Sequence, residues 1–268
     1  MIQLPFQELP AEIAQELRQY QQNIDAIPTY TERVQQGKSA FSTRNRPTNR
    51  VFKTVRATLA TMCSGSRRCM YCEDSCADEV EHIKAKDLYP EFVFVWENYL
   101  YACGPCNGGK NNAFAVFDHL TGNIIDVTRK RGDPIIPPIA GDDVLINPRV
   151  EDPLHFLALD LRNTFEFQPL PGLTRRAQER ANYTCEILAL NRDVLVEARR
   201  HAYGSYRARL HEYISERNQD ATSAQLNRLI ESLLRLQHPT VWREMQRQQH
   251  VLSDLHPLFE QAPEALGW

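Results

Sequence analysis

Apolar residues follow a helical rhythm in some stretches of the chain, alternate with polar ones in others, and lose all rhythm in one. Between residues 10 and 24, Ile13, Leu17, Tyr20 and Ile24 recur at helical spacing behind Pro10, which predicts a packing helix. Asn49 to Met62 repeats the pattern, with Phe52, Val55, Leu59 and Met62 on one face. Val80-Glu81-His82-Ile83 alternates and predicts a short strand, while the aromatic and β-branched run from Phe92 to Tyr101 suits a second strand or a packed turn. From Asn107 the chain is able to open a helix, with Asn107 near its start. Pro and Gly then interrupt every pattern between Thr128 and Pro153 and predict an irregular connector. Beyond it, Phe156-Leu-Ala-Leu and Thr164-Phe-Glu-Phe suggest a hairpin, and residues 175–201, 203–217, 222–236 and 240–250 read as helices.

These elements add up to an α+β chain, mostly α. The segments are an N-terminal helical stretch (1–62), a small ββα unit (63–127), a connector with a hairpin (128–172) and a C-terminal helical region (173–268). A length of 268 residues with 42% hydrophobic content is enough to bury a sizeable core. The start of the chain lacks a basic segment followed by an apolar core, and no apolar run approaches the length of a membrane span. A soluble cytoplasmic protein without a membrane partner is therefore expected. There is no Gly-x-x-x-x-Gly-Lys-Ser/Thr loop, so any dependence on ATP must come from another chain.

Cysteine spacing changes this picture most. Cys69 and Cys72 form one Cys-x-x-Cys turn, and Cys103 and Cys106 form another. Two such turns from separate segments supply a closed tetrahedral zinc site. Cys63, Cys76 and Cys185 are left over, and Cys76 lies close enough in sequence to rival a zinc ligand. Between the two turns stands Glu81-His82. Neighbours on a strand point to opposite faces, so these two reach one site only through a strand end or a bulge. An imidazole suits the removal of a proton from water, and a carboxylate with an amide oxygen suits magnesium or manganese.

The net charge of -3 gives no overall attraction to nucleic acid, yet its distribution is uneven. No Asp or Glu occurs between Arg33 and Cys72, where Arg33, Lys38, Arg44, Arg46, Arg50, Lys53, Arg56, Arg67 and Arg68 fall. That asymmetry is the footprint of a phosphate-binding surface, and its bland counterpart is a solvated, salt-bridged face.

Taken together, Cys69, Cys72, Glu81, His82, Asn98, Cys103, Cys106, Asn107 and Lys110 resemble the pattern of the HNH endonuclease family. The resemblance implies a zinc-stabilised HNH (ββα-metal) core. It makes His82 the base that activates water, gives Glu81 and Asn107 a divalent ion, and lets Asn98 orient the loop carrying His82. It departs from the usual pattern in having Asn107 for a final His and Glu81 for Asp. The runs Cys69 to Glu73, Val80 to Lys84, Trp96 to Leu100 and Cys103 to Lys110 are similar to the HNH subunit of Septu-type and retron-linked bacterial defence systems, the PtuB family. Leu145 to Pro153 and Leu188-x-Leu-Asn-Arg192 extend the likeness.

That likeness implies a nuclease of anti-phage defence, acting on DNA, with RNA as the further candidate substrate, and controlled by an ATPase subunit of PtuA type. Structural zinc and catalytic Mg2+ or Mn2+ would serve it, and Arg44, Arg46, Arg50, Lys53, Arg56, Arg67, Arg68, Lys84 and Lys110 would meet nucleic acid. The competing expectation is a non-catalytic, zinc-stabilised module that binds nucleic acid or a protein.

Overall fold

The computed structural model describes residues 1–268 and opens with three helices, α1 (Ala11–Asp25), α2 (Tyr30–Arg44) and α3 (Arg50–Met62). Thr29 and Asn49 cap α2 and α3, each accepting a hydrogen bond from the backbone N–H three residues on. The sequence pattern anticipates α1 and α3 but not α2, whose buried positions are only Val34, Gly37 and Phe41. Gly37 lets α2 approach closely, since a Cβ there would stand 3.1 Å from the Val93 side chain.

The cysteine-rich segment then forms β1 (Glu79–His82) and β2 (Tyr99–Ala102), an antiparallel pair with His82 opposite Tyr99, followed by α4 (Gly104–Lys110). Most of the aromatic run before β2 is not strand. It folds as two 3-10 turns, Pro90–Phe92 and Trp96–Asn98, because Pro90 removes a donor and Asn98 pins the loop. The helix α4 starts at Gly104 behind Cys103, so Asn107 lies in its middle rather than near its start.

Next come β3 (Ala115–Asp118), β4 (Ile124–Asp126) and β5 (Gly141–Asp143), in the order β4-β3-β5. The strand β5 arises from the Pro-rich stretch expected to be irregular. Gly141 makes this pairing possible, since a Cβ there would fall 2.4 Å from the Phe117 carbonyl oxygen. A hairpin of β6 (Leu157–Leu159) and β7 (Phe167–Pro169) precedes α5 (Arg175–Ile187), α6 (Asp193–Asn218), α7 (Ser223–Leu234), α8 (Pro239–Gln248) and α9 (His256–Gln261).

Two helix boundaries differ from the sequence reading. Residues 175–201 are not one helix, because the chain turns at Leu188–Arg192, where Ala189 takes a φ of 46°. Conversely, α6 runs through the break expected at 201–203, where Ala202, Tyr203 and Tyr206 stay buried. Helices make up roughly half of this α+β fold. One apolar core draws Ile13, Phe52, Tyr99, Leu157, Leu195 and Trp242 from all parts of the chain. No helix is long and apolar enough to cross a membrane.

Candidate metal centre and adjoining polar cavity

The sulfurs of Cys69, Cys72, Cys103 and Cys106 lie within 4.8 Å of one another, and all four residues are buried. Backbone pairing brings the two turns together: the Met70 N–H donates to the Tyr101 carbonyl at 3.0 Å. Four thiolates about 2.3 Å from a tetrahedral zinc stand about 3.8 Å apart. Cys72 and Cys103 have their sulfurs 3.8 Å apart, so the donor set fits a structural metal such as zinc. Hydrogen bonding among the four sulfurs divides them, holding the Cys72 and Cys103 thiols below their ordinary range and pushing those of Cys69 and Cys106 above it. Cys76 is not a rival ligand: it is exposed, and its sulfur accepts from Arg67 at 2.9 Å. Cys63 and Cys185 also lie outside the cluster.

On the other side of the same hairpin and helix, a cavity of about 230 Å3 gathers Glu79, Glu81, His82, Lys86, Asp87 and Asn107. His82 stands at the last position of β1, so its side chain escapes the strict alternation of the strand and joins Glu81 in one space. Its ring packs against Phe41 (4.4 Å between centroids) and Tyr99 (5.1 Å). Nε2 lies 2.9 Å from the Val93 carbonyl oxygen. A carbonyl only accepts, so Nε2 carries the proton and Nδ1 keeps a free lone pair. Burial holds the imidazole down at about 3, and Lys86 and Lys110 act in the same direction, so the ring is neutral at ordinary pH.

Glu81 is buried as well. Its Oε1 accepts from the Lys110 ammonium at 2.7 Å, and Lys110 also donates to the His82 carbonyl at 2.9 Å. Burial pushes the Glu81 carboxyl up, against the pull of Lys110. Its second oxygen takes no side-chain partner. Asn107 donates through Nδ2 to Glu79 Oε2 at 2.5 Å, which leaves its amide oxygen as the free end. Asn98 is buried away from the cavity and clamps the loop after His82, accepting from Lys84 N (2.7 Å) and donating to the Lys84 and Phe92 carbonyls.

The basic residues divide. Lys110, expected at nucleic acid, is fully buried, and its ammonium is committed to Glu81 and His82. Lys84 is paired with Asp143 and Arg50 with Glu16. Arg44 lies over the Tyr20 ring, Arg56 bonds Asn45 and the Arg46 carbonyl, and Arg68 bonds the Asp74 carbonyl. With Arg67 on Cys76, and Arg46 and Lys53 exposed, this group holds charge that no carboxylate cancels. His119 is exposed beside Asp142 and takes no part in the cavity. The sequence reading missed Glu79 and Lys86; Glu79 stands two residues before Glu81 on one strand, a spacing that puts both on the same face.

Fold and site together define an α+β protein with a buried four-cysteine centre able to hold a metal, flanked by a polar cavity. No protein-family model matches the chain. A stretch of 57 residues is 42% identical to the Septu protein PtuB of Bacillus thuringiensis, covering 19% of this chain and 22% of that protein. The similarity therefore indicates a Septu-related relationship over about a fifth of that relative's length.

Proposed function

We propose that this chain is a metal-dependent endonuclease of the HNH type and the nuclease component of a Septu-type bacterial defence complex. The observation that carries the reading is the cavity itself. Three groups, Glu81, His82 and Asn107, are each held by a neighbour and each turn one unsatisfied acceptor to a common space. Water at His82 Nδ1 gives its proton to the ring as its oxygen bonds phosphorus. The P–O bond to the sugar breaks, and the leaving oxygen takes a proton from solvent. A substrate phosphate beside the ring favours the imidazolium that forms, offsetting the low proton affinity that burial imposes.

Glu81 and Asn107, as oxygen donors, suit magnesium or manganese, which when bound would polarise the phosphate and offset charge on the leaving oxygen. Asn98 keeps the His82 loop in place rather than meeting substrate. Arg44, Arg46, Lys53, Arg56, Arg67 and Arg68 supply the attraction for the nucleic-acid backbone. The relationship to PtuB supports a partner of the PtuA ATPase type. A largely hydrophobic groove of about 720 Å3 beside α1, between Phe6, Leu17 and Trp96, is where that partner docks in this reading.

The test is cleavage of plasmid DNA and of total RNA in magnesium or manganese against EDTA, by wild type and His82→Ala, alone and with a PtuA-type ATPase. Metal-dependent cleavage should fall about 100- to 10,000-fold in the variant while its circular dichroism and zinc content hold. No cleavage by zinc-loaded wild type under any of these conditions would leave a zinc-stabilised binding module instead.

A further inference from the structure

The segment Leu188-Ala-Leu-Asn-Arg192 has no part in the chemistry above, yet every side chain in it except Ala189 is committed. Leu188 and Leu190 are buried. Asn191 exchanges two 2.8 Å hydrogen bonds with the backbone of Phe167, which fixes the turn to β7. Arg192 stands at the residue before α6 and reaches across to the metal centre, placing Nη2 3.7 Å from the Cys106 sulfur. About two turns further on, Arg199 is buried at 1% exposure with no carboxylate in ion-pairing range. Its guanidinium donates to the carbonyls of Phe165 and Leu190 and lies 4.4 Å from the Phe167 ring centroid.

A buried guanidinium with only dipoles around it is costly unless a net negative charge stands nearby. The nearest buried carboxylate, Glu73, already faces the Met1 ammonium at 3.1 Å and Thr240 at 2.8 Å. Zinc with four thiolates carries a net charge of about -2. The strands β1 and β2 hold no lysine or arginine, and Lys110 of α4 is already committed to Glu81 and His82.

We infer that Arg192 and Arg199 supply the counter-charge of a metal ion held by Cys69, Cys72, Cys103 and Cys106. Arg192 acts by donating directly to the Cys106 sulfur. The turn Leu188–Arg192 is then the joint through which the C-terminal helices depend on the metal. This rests on the four-cysteine centre alone and stands or falls separately from the nuclease reading.

Two measurements test it. In the first, zinc release to a chromogenic chelator and the thiolate-to-metal absorption of the Co2+-substituted protein are followed for wild type, Arg192→Met, Arg192→Lys and, as a remote control, Arg243→Met. Arg192→Met should weaken zinc retention about 10- to 100-fold and shift the Co2+ band. Arg192→Lys should restore part of both, and Arg243→Met should change neither. Release at the wild-type rate with an unshifted band in Arg192→Met would overturn the inference. In the second, which needs no variant, amide hydrogen exchange of the wild type is compared with zinc and after chelation. Amides 188–199 should lose protection with those of residues 69–72 and 103–106. Retained protection at 188–199 once zinc has left would equally overturn it.

Discussion

The four-cysteine centre and the polar cavity share one hairpin and one helix but are built on opposite plans. In the first, every ligand atom points inward to a common point, and burial closes it on all sides. In the second, each side chain has one end held by the protein and the other left open. Lys110 holds Glu81, the Val93 carbonyl holds His82, and Glu79 holds Asn107. A closed set of ligands contributes folding free energy, while open acceptors in a fixed array serve binding and chemistry. The difference teaches that proximity of candidate ligands does not define a reactive site. The decisive feature is which atoms remain unsatisfied after the fold has used the others.

The comparison breaks most visibly at the cysteines. Cys69→Ser or Cys106→Ser should lose the metal and with it the fold, since structural zinc contributes on the order of 10 kcal/mol to small zinc-dependent units. Metal content by emission spectroscopy and near-UV circular dichroism read this directly. A Cys106→Ser protein that folds without metal would remove the structural role assigned to the centre.

Lys110 sharpens the contrast at intermediate size. Lys110→Met leaves the Glu81 carboxyl buried without its ammonium, which costs about 3–5 kcal/mol in urea unfolding, with zinc still bound. The double variant Lys110→Met with Glu81→Leu should recover much of that loss, because the charge left alone is then gone. Equal destabilisation by the single and double variants would mean that packing, not the ion pair, is what Lys110 provides.

The two sites also differ in how much of them the sequence carries. Metal-ligand spacing within a Cys-x-x-Cys turn is local, so the four ligands are legible by eye, and only Cys76 needed the structure to set it aside. The open cavity depends on partners distant in sequence. The tautomer of His82 is set by Val93, in a loop that periodicity reads as possible strand, and the amide of Asn107 is set by Glu79 across 28 residues. Lys110 follows two glycines and looks exposed. It is buried only because α4 lies against β1, where Glu81 awaits it. In the same way α2 escapes a periodicity search, since its contribution is Phe41 against His82 rather than a full apolar face.

The smallest effect concerns the cavity alone and is read through pH. His82 titrates near 6.5 when unfolded and is held at about 3 in the fold, first by burial and then by Lys86 and Lys110. Between those values the unfolded chain binds a proton that the folded chain refuses, so stability must rise with pH across the window. On going from pH 7 to pH 5 the wild type should therefore lose about 2 kcal/mol through this group alone. The replacement His82→Gln, which lacks the titrating ring, should lack that increment in urea unfolding at fixed zinc concentration. The same depressed value keeps the ring of the free protein in the proton-accepting form, so kcat/KM of the proposed nuclease should not fall through a step near pH 6.5. Matching pH slopes for wild type and His82→Gln would show that the ring exchanges protons with solvent as freely in the fold as outside it. The walls of Phe41 and Tyr99 would then not seal it as their packing implies.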